Sequence, residues 1–260
     1  MKNLTRYYPT VLLLLLLGCG SGSNFNLISV EEEWQLGNQI AADVERQVHL
    51  NNDPAVNDYV RTMGQRIVAQ TPMANMPWTF QVIDDPEINA FSIPGGHVYV
   101  NTGLIANADT ASELAGVMAH EISHVVARHG TEQLSRQYGV SVLAGLVLGK
   151  DPGQLQQVAA AIVANGAMAR FSREDEREAD ELGIKFMYDA NYDPRGMAEM
   201  FRVLLAHQKS DPGRVEAFFA THPTTEERVR DAQKRAEQLG TRAAAITDEP
   251  QYQSIRGRVS

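Results

Sequence analysis

The stretch MAHEISHVVARHG, residues 118–130, decides the fold, because it places three histidines and a glutamate in one helical segment. On an α-helix, residues four apart differ by about 40° in direction, so His120 and His124 can bind one metal ion. Glu121 lies about 100° round the helix, near enough to reach a metal-bound water without ligating the metal itself. The pattern therefore predicts a metal site with a catalytic carboxylate.

The helix around this pattern is predicted to be buried. It is expected to run from Asp109 to Arg128 and to end at Gly130, and it is apolar nearly all round, which is typical of a central helix. The competing interpretation is a helix whose histidines only hydrogen-bond to polar neighbours. Burying such groups without partners costs on the order of several kcal/mol. A metal ion accounts for both histidines and the glutamate together.

A catalytic zinc ion has three protein ligands and one open position, so a third ligand must come from elsewhere in the chain. His129 lies five residues past the second histidine, about 140° round the helix, and is predicted to face away from the site. The segment FSREDEREADELGIKFM is a better source. On a helical wheel Glu176 and Asp180 flank its apolar stripe, whereas Glu178 falls on the solvent side.

Glu176 is therefore predicted to be the third ligand, with Asp180 as the hydrogen-bond acceptor of a ligand histidine. Glu178 is a weaker ligand candidate. The alternative is an ordinary charged helix edge with no metal role.

Composition limits the classes of partner. The chain has 260 residues, a net charge of −9 and 43% hydrophobic residues. Nucleic acid is not expected as a partner, because phosphate binding needs a basic face. Cys19 is the only cysteine, which excludes an intrachain disulfide bond. The oligomeric state is not predicted.

Residues 1–18 are predicted to be a signal peptide, because Lys2 and Arg6 precede an apolar run too short to span a bilayer. The run ends in LLGC, which resembles the bacterial lipobox, so Cys19 is expected to become a lipidated N-terminus. Gly20 in place of aspartate after the cysteine suggests the outer membrane, facing the periplasm. Ordinary secretion with cleavage nearby is the alternative.

The mature chain is predicted to have an α+β fold, mostly helical with a small mixed sheet. Residues 19–28 form a tether, 29–238 the folded domain and 239–260 a C-terminal tail that is expected to be loose. Ser29 and Glu32 predict the start of the first helix. WTFQVI and GGHVYVN alternate as strands, and residues 131–170 are predicted to be helical, with VSVLAGLVLG as core or groove wall.

Three motifs in this order, HEISH, SREDEREAD and HPTTEER, resemble the zinc metallopeptidase family that contains the CAAX prenyl protease, HtpX and BepA-type periplasmic proteases. The resemblance covers roughly residues 30–235 and implies a zincin-like domain with one zinc ion per chain. It assigns the third ligand to Glu176 and the orientation of His120 to Asp180. The transmembrane spans of HtpX and the prenyl protease and the tetratricopeptide domain of BepA are missing. Membrane-embedded substrates and that domain's partners are therefore not expected.

The motif HPTTEER adds His222 and Arg228. Taken alone, it predicts only a helix that Pro223 begins and a surface arginine. The resemblance implies that His222 lies near the zinc ion, either as a fourth ligand in a closed state or as a donor to the reacting carbonyl. It also implies that Arg228 helps to hold this region.

The family resemblance further implies a substrate strand. Family members contain a segment similar to NAFSIPGGHVYVNTGLI, which implies an edge strand at His97, Val98, Tyr99, Val100 and Asn101. An extended substrate peptide would pair with the backbone of this strand. The expected function is hydrolysis of misfolded or misassembled envelope proteins by a zinc endopeptidase, with Glu121 as the base. The alternative is a zinc-stabilised periplasmic chaperone or binding protein with latent or no protease activity.

Overall fold

The computed structural model describes residues 28–165, 170–240 and 242–260. The predicted signal peptide, Cys19 and most of the tether lie outside the described residues. The described elements follow in chain order. They are α1 (Val30–Glu45), α2 (Pro54–Val68), β1 (Thr79–Ile83), β2 (Ala90–Ile93), β3 (His97–Asn101), α3 (Thr102–Asn107), α4 (Ala111–Val126), α5 (His129–Tyr138), α6 (Val140–Val147), α7 (Pro152–Asn165), α8 (Arg173–Asp189), α9 (Arg195–Ser210), a 3₁₀ turn (Pro212–Val215), α10 (Glu216–Thr221), α11 (Glu226–Leu239) and α12 (Pro250–Val259).

The fold is α+β and mostly helical, with a small mixed sheet, as the sequence predicts. The predicted helix starts have a local cause. Ser29 and Glu32 form a capping box that satisfies the first backbone N–H groups of α1. Ser172 and Asp175 form a second box at the start of α8, which fixes where the helix carrying Glu176 begins.

The sheet places the predicted substrate strand in its centre, so the prediction of an edge strand at residues 97–101 is wrong. The strand order is β1-β3-β2, with β1 parallel and β2 antiparallel to β3. Both sides of β3 are therefore hydrogen-bonded, and all five residues are buried. The cause is the turn at Pro94, Gly95 and Gly96, whose glycines have φ of 86° and 87° and fold β2 back onto β3. Strand β2, not β3, lies at the sheet edge.

Helix α4 is the centre of the larger core and packs against α8 and α9. Two glycines permit the close approach. A Cβ at Gly116 would lie 2.7 Å from the Cα of Met197, and one at Gly183 would lie 3.2 Å from the carbonyl of Ala119. Because α8 can lie this close to α4, short carboxylate side chains on α8 reach the histidines of α4.

A second core joins α1, α6 and α7 to the other face of the sheet, where Phe91 and Tyr99 stack with ring centroids 4.9 Å apart. The apolar segment 140–148, predicted to be core or groove wall, contributes Leu143, Leu146 and Val147 to this core, whereas Val142 and Leu148 are exposed. Within the described ranges, no helix combines the length and apolar character that a membrane span requires.

The end of α4 differs from the prediction, because Gly130 does not end the helix. Helix α4 ends at Val126, and Arg128 then adopts the left-handed conformation with φ of 62°. Gly130 lies in the first turn of α5. An ion pair with Glu33 and a hydrogen bond to the carbonyl of Ile28, each at 2.6 Å, hold Arg128 in this unfavourable backbone conformation.

The expectation of a loose C-terminal tail is also wrong. Helix α12 buries Tyr252 and Ile255, and the Tyr252 hydroxyl contacts the carbonyl oxygens of Ile105 and Ala108 at 3.0 and 2.9 Å. Two buried residues in ten give too weak a period to read from the sequence. The docking of α12 depends on tertiary contacts with α2 and α3.

Candidate metal centre

Helix α4 carries the first three residues of the site in its most buried stretch. His120 and Glu121 have no exposed surface, and His124 is 1% exposed. As the spacing predicts, the two imidazoles lie on the same side of the helix, with their Nε2 atoms 3.0 Å apart.

Helix α8 and the residue after α10 complete the cluster. Glu176 points inward from α8, and its Oε1 lies 3.4 Å from Nε2 of His124. His222 follows α10 and places its Nδ1 2.9 Å from the same oxygen and 3.3 Å from Nε2 of His120. One ligand atom from each of the four residues lies within 4.8 Å of all the others.

These separations fit one tetrahedral metal ion. Zinc binds imidazole nitrogen and carboxylate oxygen at about 2.0–2.2 Å, so its ligand atoms lie about 3.3–3.5 Å apart in a tetrahedron. The Glu176 carboxylate lies 2.9 Å from Nδ1 of His222 through Oε1 and 3.6 Å from Nε2 of His120 through Oε2, and the two Nε2 atoms of His120 and His124 are 3.0 Å apart. The spacing therefore leaves room for one ion.

The contact between His120 and Asp180 indicates which nitrogen of His120 faces the cluster as a possible metal ligand. Its Nδ1 lies 3.0 Å from the buried Asp180 carboxylate, and this proximity favours the tautomer with the proton on Nδ1, although the two groups do not meet with hydrogen-bond geometry. In the neutral ring Nε2 then presents a lone pair to Nε2 of His124. If His124 is neutral in the same tautomer, two lone pairs meet at 3.0 Å, and a metal ion between them would relieve the repulsion.

Arg228 clamps the two carboxylates of α8 from behind the cluster. Its Nε and Nη2 donate to the two oxygens of Asp180, each at 2.8 Å, and its Nη1 donates to Glu176. The same Nη1 donates to the carbonyl of Pro223, directly after His222. Arg228 therefore does not reach the reacting atoms, and its position is that of a positioning residue rather than a catalytic one.

Glu121 is held by a residue that the sequence analysis did not single out. The hydroxyl of Ser92, on edge strand β2, lies 2.9 Å from Oε2 and 3.1 Å from the backbone carbonyl of Glu121. The other oxygen, Oε1, has no hydrogen-bond partner among the described residues. It lies 3.4 Å from Nε2 of His222, which is likewise without one there. Glu121 is thus fixed at one oxygen and left available at the other.

The electrostatics of the site favour bound cations. Burial alone would raise the pKa of Glu176, but the charges of His222 and Arg228 outweigh it and hold the pKa well below its usual range. Burial alone would lower the pKa of His222, but the carboxylates of Glu176 and Glu121 outweigh it and raise the pKa. The charged form of Glu176 is therefore favoured even without the metal.

The other residues considered in the sequence analysis differ in whether they contact the cluster. Asp180 contacts His120, as expected, whereas Glu178 is on the exposed side of α8, with its carboxylate 3.5 Å from His129 and away from the cluster. His129 does not face away, because the break at Arg128 returns its Nδ1 to 2.9 Å from Nδ1 of His124. No local sequence pattern indicates this contact.

Strand residues 97–101 are also distinct from the cluster. His97 bonds through Nδ1 to the hydroxyl of Thr79, at 2.8 Å, inside the sheet. Burial lowers its pKa to about 4. Its neighbours pair with β1 and β2 on either side, so none of the five residues is available to a substrate backbone.

An HExxH helix, an inward glutamate from a second helix and a buried carboxylate behind one histidine define a zincin-like metallopeptidase centre. The chain belongs to a specific family of this class, because the family model described as Peptidase family M48 matches residues 54–236. Members of this family are metal-dependent peptidases.

Named relatives are similar over most of the chain. The beta-barrel assembly-enhancing protease of Escherichia coli K12 is 32% identical over 232 residues, which cover 86% of this chain and 47% of the relative. The mitochondrial metalloendopeptidase OMA1 of Schizosaccharomyces pombe is 34% identical over 174 residues, covering 66% of this chain and 50% of the relative. The chain thus spans about half the length of the curated relatives it matches.

The ligand assignment can be tested on α8. We expect Glu176→Ala to lose most of its bound metal after dialysis, because the substitution removes the only carboxylate of the four-residue cluster. Glu178→Ala, on the exposed side of the same helix, should retain the wild-type content, measured by elemental analysis. Circular dichroism of both metal-free variants checks that the fold is intact. The reverse ranking of the two variants would refute the assignment of Glu176.

Proposed function

We propose that this chain is a zinc-dependent endopeptidase. The single observation that carries the proposal is the position of Glu121. Its Oε1, free of hydrogen-bond partners in the described part of the chain, points beside a cluster of four metal-binding side chains. A site that only stabilises the fold has no use for such an acid, whereas hydrolysis requires a base at this position.

Zinc is the metal that best suits this donor set. The cluster offers three imidazole nitrogens and one carboxylate at tetrahedral spacing. Magnesium and calcium prefer six or more oxygen ligands, which these residues do not supply. One zinc ion would be held by His120, His124 and Glu176, with His222 as a fourth ligand.

The protein's own groups divide the chemistry between them. When bound, zinc supplies Lewis acidity that polarises the scissile carbonyl and lowers the pKa of water to about 7. Glu121 accepts the proton of the attacking water at Oε1 and returns it to the leaving amine. Ser92 fixes Oε2 of Glu121, so that Oε1 stays directed toward the cluster. Asp180 holds His120 with its Nε2 turned inward.

We propose that the conformation described here is a closed, resting state. The cavity beside the cluster, lined by residues that include Ser92, Arg128 and Phe171, has a volume of about 10 Å³. That space holds about one water molecule and excludes a peptide. His222 lies in the position that water and substrate need, and four protein ligands make a zinc site inert. His222 would then act as a latch.

A polypeptide substrate would bind at the edge of β2 after opening. This strand carries Ser92, which contacts Glu121, and in the described part of the chain it pairs only with β3. Its four residues are buried, so the covering segments must move first. Extended peptides commonly add to a free sheet edge, where backbone hydrogen bonds give affinity with little sequence selectivity.

We further propose that the chain acts in the bacterial envelope on misfolded or misassembled proteins. Several relatives bear the name beta-barrel assembly-enhancing protease, which supports such substrates. The lipobox-like LLGC would anchor the chain to the membrane through a lipid on Cys19. By the residue after the cysteine, Gly20, the anchor would lie in the outer membrane, facing the periplasm.

A zinc-stabilised binding protein is the second candidate. The observation that favours it is the fourth imidazole, because a zinc site with four protein ligands is structural in most proteins. In that case His222 would never leave the metal. Glu121 discriminates between the two candidates.

We expect Glu121→Gln to retain zinc and to lose cleavage of an unfolded protein, because it removes the base and spares every ligand. The rate should fall by about 10²–10⁴-fold, measured by gel densitometry with a chelator-treated control. Glu113→Gln is a matched control on the same helix, about two turns away, and should cleave at the wild-type rate. Wild-type cleavage by Glu121→Gln would contradict the mechanism, and a wild type that binds zinc but never cleaves would favour the binding protein.

Replacement of His222 separates the latch from a catalytic donor. If His222 closes the site, His222→Ala should raise basal cleavage or cause self-cleavage while three ligands still retain zinc. If it donates to the reacting carbonyl, the same variant should lose about 10²–10³-fold in rate. Substitution of the exposed His49 by alanine is the control. A loss of activity with intact zinc would refute the latch.

Lipid anchoring depends on Cys19. We expect Cys19→Ser to appear in the soluble fraction after cell fractionation, whereas the wild type sediments with membranes. Mass spectrometry of the wild-type N-terminus should show a diacylglycerol-modified cysteine. A Cys19→Ser protein that stays with the membrane would indicate another anchor, such as an uncleaved signal peptide.

A further inference from the structure

We propose that His129 is a positioning residue that fixes the orientation of His124 toward the metal. The inference rests on the proposed zinc site and assigns a role to a residue outside the ligand set. His129 is 1% exposed, and its Nδ1 lies 2.9 Å from Nδ1 of His124. At this distance the buried imidazole of His129 can hydrogen-bond to Nδ1 of His124, the ring nitrogen that does not face the metal site.

A specific backbone break brings His129 to this position. Had α4 continued, His129 would lie about 140° round the helix from His124. Instead Arg128 adopts φ of 62°, and α5 begins at His129. The strained residue is held by Glu33 and the Ile28 carbonyl, so the placement of His129 does not depend on a flexible loop.

Binding of the metal through Nε2 requires one tautomer of His124, and the contact with His129 can accommodate it. To offer the Nε2 lone pair to the cluster, neutral His124 must carry its proton on Nδ1. The group that receives this proton is Nδ1 of His129, which places the proton of His129 on its own Nε2. That atom faces carboxylates of α8, at 3.5 Å from Glu178 and 3.9 Å from Asp175.

The stacking contact of the ring does not make this selection. Phe171 stacks on His124 with ring centroids 3.9 Å apart and an interplanar angle of 20°. Stacking fixes the plane of the imidazole, but a half-turn about Cβ–Cγ preserves the plane and moves Nδ1 to the opposite side. The bond from Nδ1 to His129 distinguishes these two orientations.

The two zinc histidines therefore have unlike partners. His120 is held by the carboxylate of Asp180, which is paired with Arg228. His124 is instead held by the imidazole of His129, and Arg228 is already paired with Asp180 and Glu176. An imidazole acceptor orients the ring without adding another negative charge to the interior.

The test is the zinc affinity of the purified full chain, measured by competition with a chelator of known affinity. We expect His129→Leu to weaken zinc binding by about 10- to 100-fold, the usual effect of losing such a partner. His129→Asn places an amide oxygen near the former Nδ1 and should recover most of the affinity. Substitution of exposed His49 by leucine makes the same chemical change elsewhere and should leave affinity unchanged.

Thermal unfolding of the metal-free proteins separates orientation from folding. Equal Tm values for metal-free wild type, His129→Leu and His129→Asn, with weaker zinc binding only for His129→Leu, support the positioning role. Wild-type zinc affinity in a folded His129→Leu overturns it. Equal losses in the leucine and asparagine variants also overturn it, because they indicate packing alone. If the wild type binds no zinc, the proposed function fails instead, and the two failures are thus distinguishable.

Discussion

The balance of buried charge is the constraint on which the rest of the site depends. Glu121, Glu176 and Asp180 place three carboxylates in the interior, and Arg228 is the buried cation that pairs with two of them. When the histidines are neutral, as metal ligands must be, the sum is −2. Unbalanced charges of this size are very costly in a protein core. One divalent cation restores neutrality. The charge balance around α4 therefore favours the same kind of ion that the ligand spacing would accommodate.

The same balance explains why the helices pack as they do. Arg228 comes from α11 and reaches across to α8, while Gly183 lets α8 approach the backbone of α4. Both contacts are short, and both restrict the conformational freedom of the α8 carboxylates that face the cluster. The carboxylates are therefore fixed by packing and hydrogen bonds, which is the condition under which an enzyme site retains its geometry without substrate.

The sequence predicted those parts of the site that follow from one helix at a time. The spacing of His120, Glu121 and His124 and the inward positions of Glu176 and Asp180 are consequences of a 3.6-residue period, and the structure places all five accordingly. The family resemblance supplied His222, which no local pattern marks.

Features that depend on tertiary contacts were missed or misplaced. Ser92 reaches Glu121 from β2, which lies at one edge of the sheet, and strand order is not encoded in alternation. The left-handed Arg128 is imposed by Glu33, which is 95 residues away. The packing of α12 likewise depends on distant partners, so its period in the sequence is weak.

One consequence follows from the distance along the chain between His120 and His222, which are 102 residues apart. An ion that both residues bind would act as a cross-link closing a long loop, and such a closure restricts the unfolded chain far more than a local contact. Releasing His222 would open the site and undo this cross-link in one event. Catalytic activity and stability against unfolding would then depend on the same metal–His222 bond. Selection for higher activity would therefore also select for lower stability.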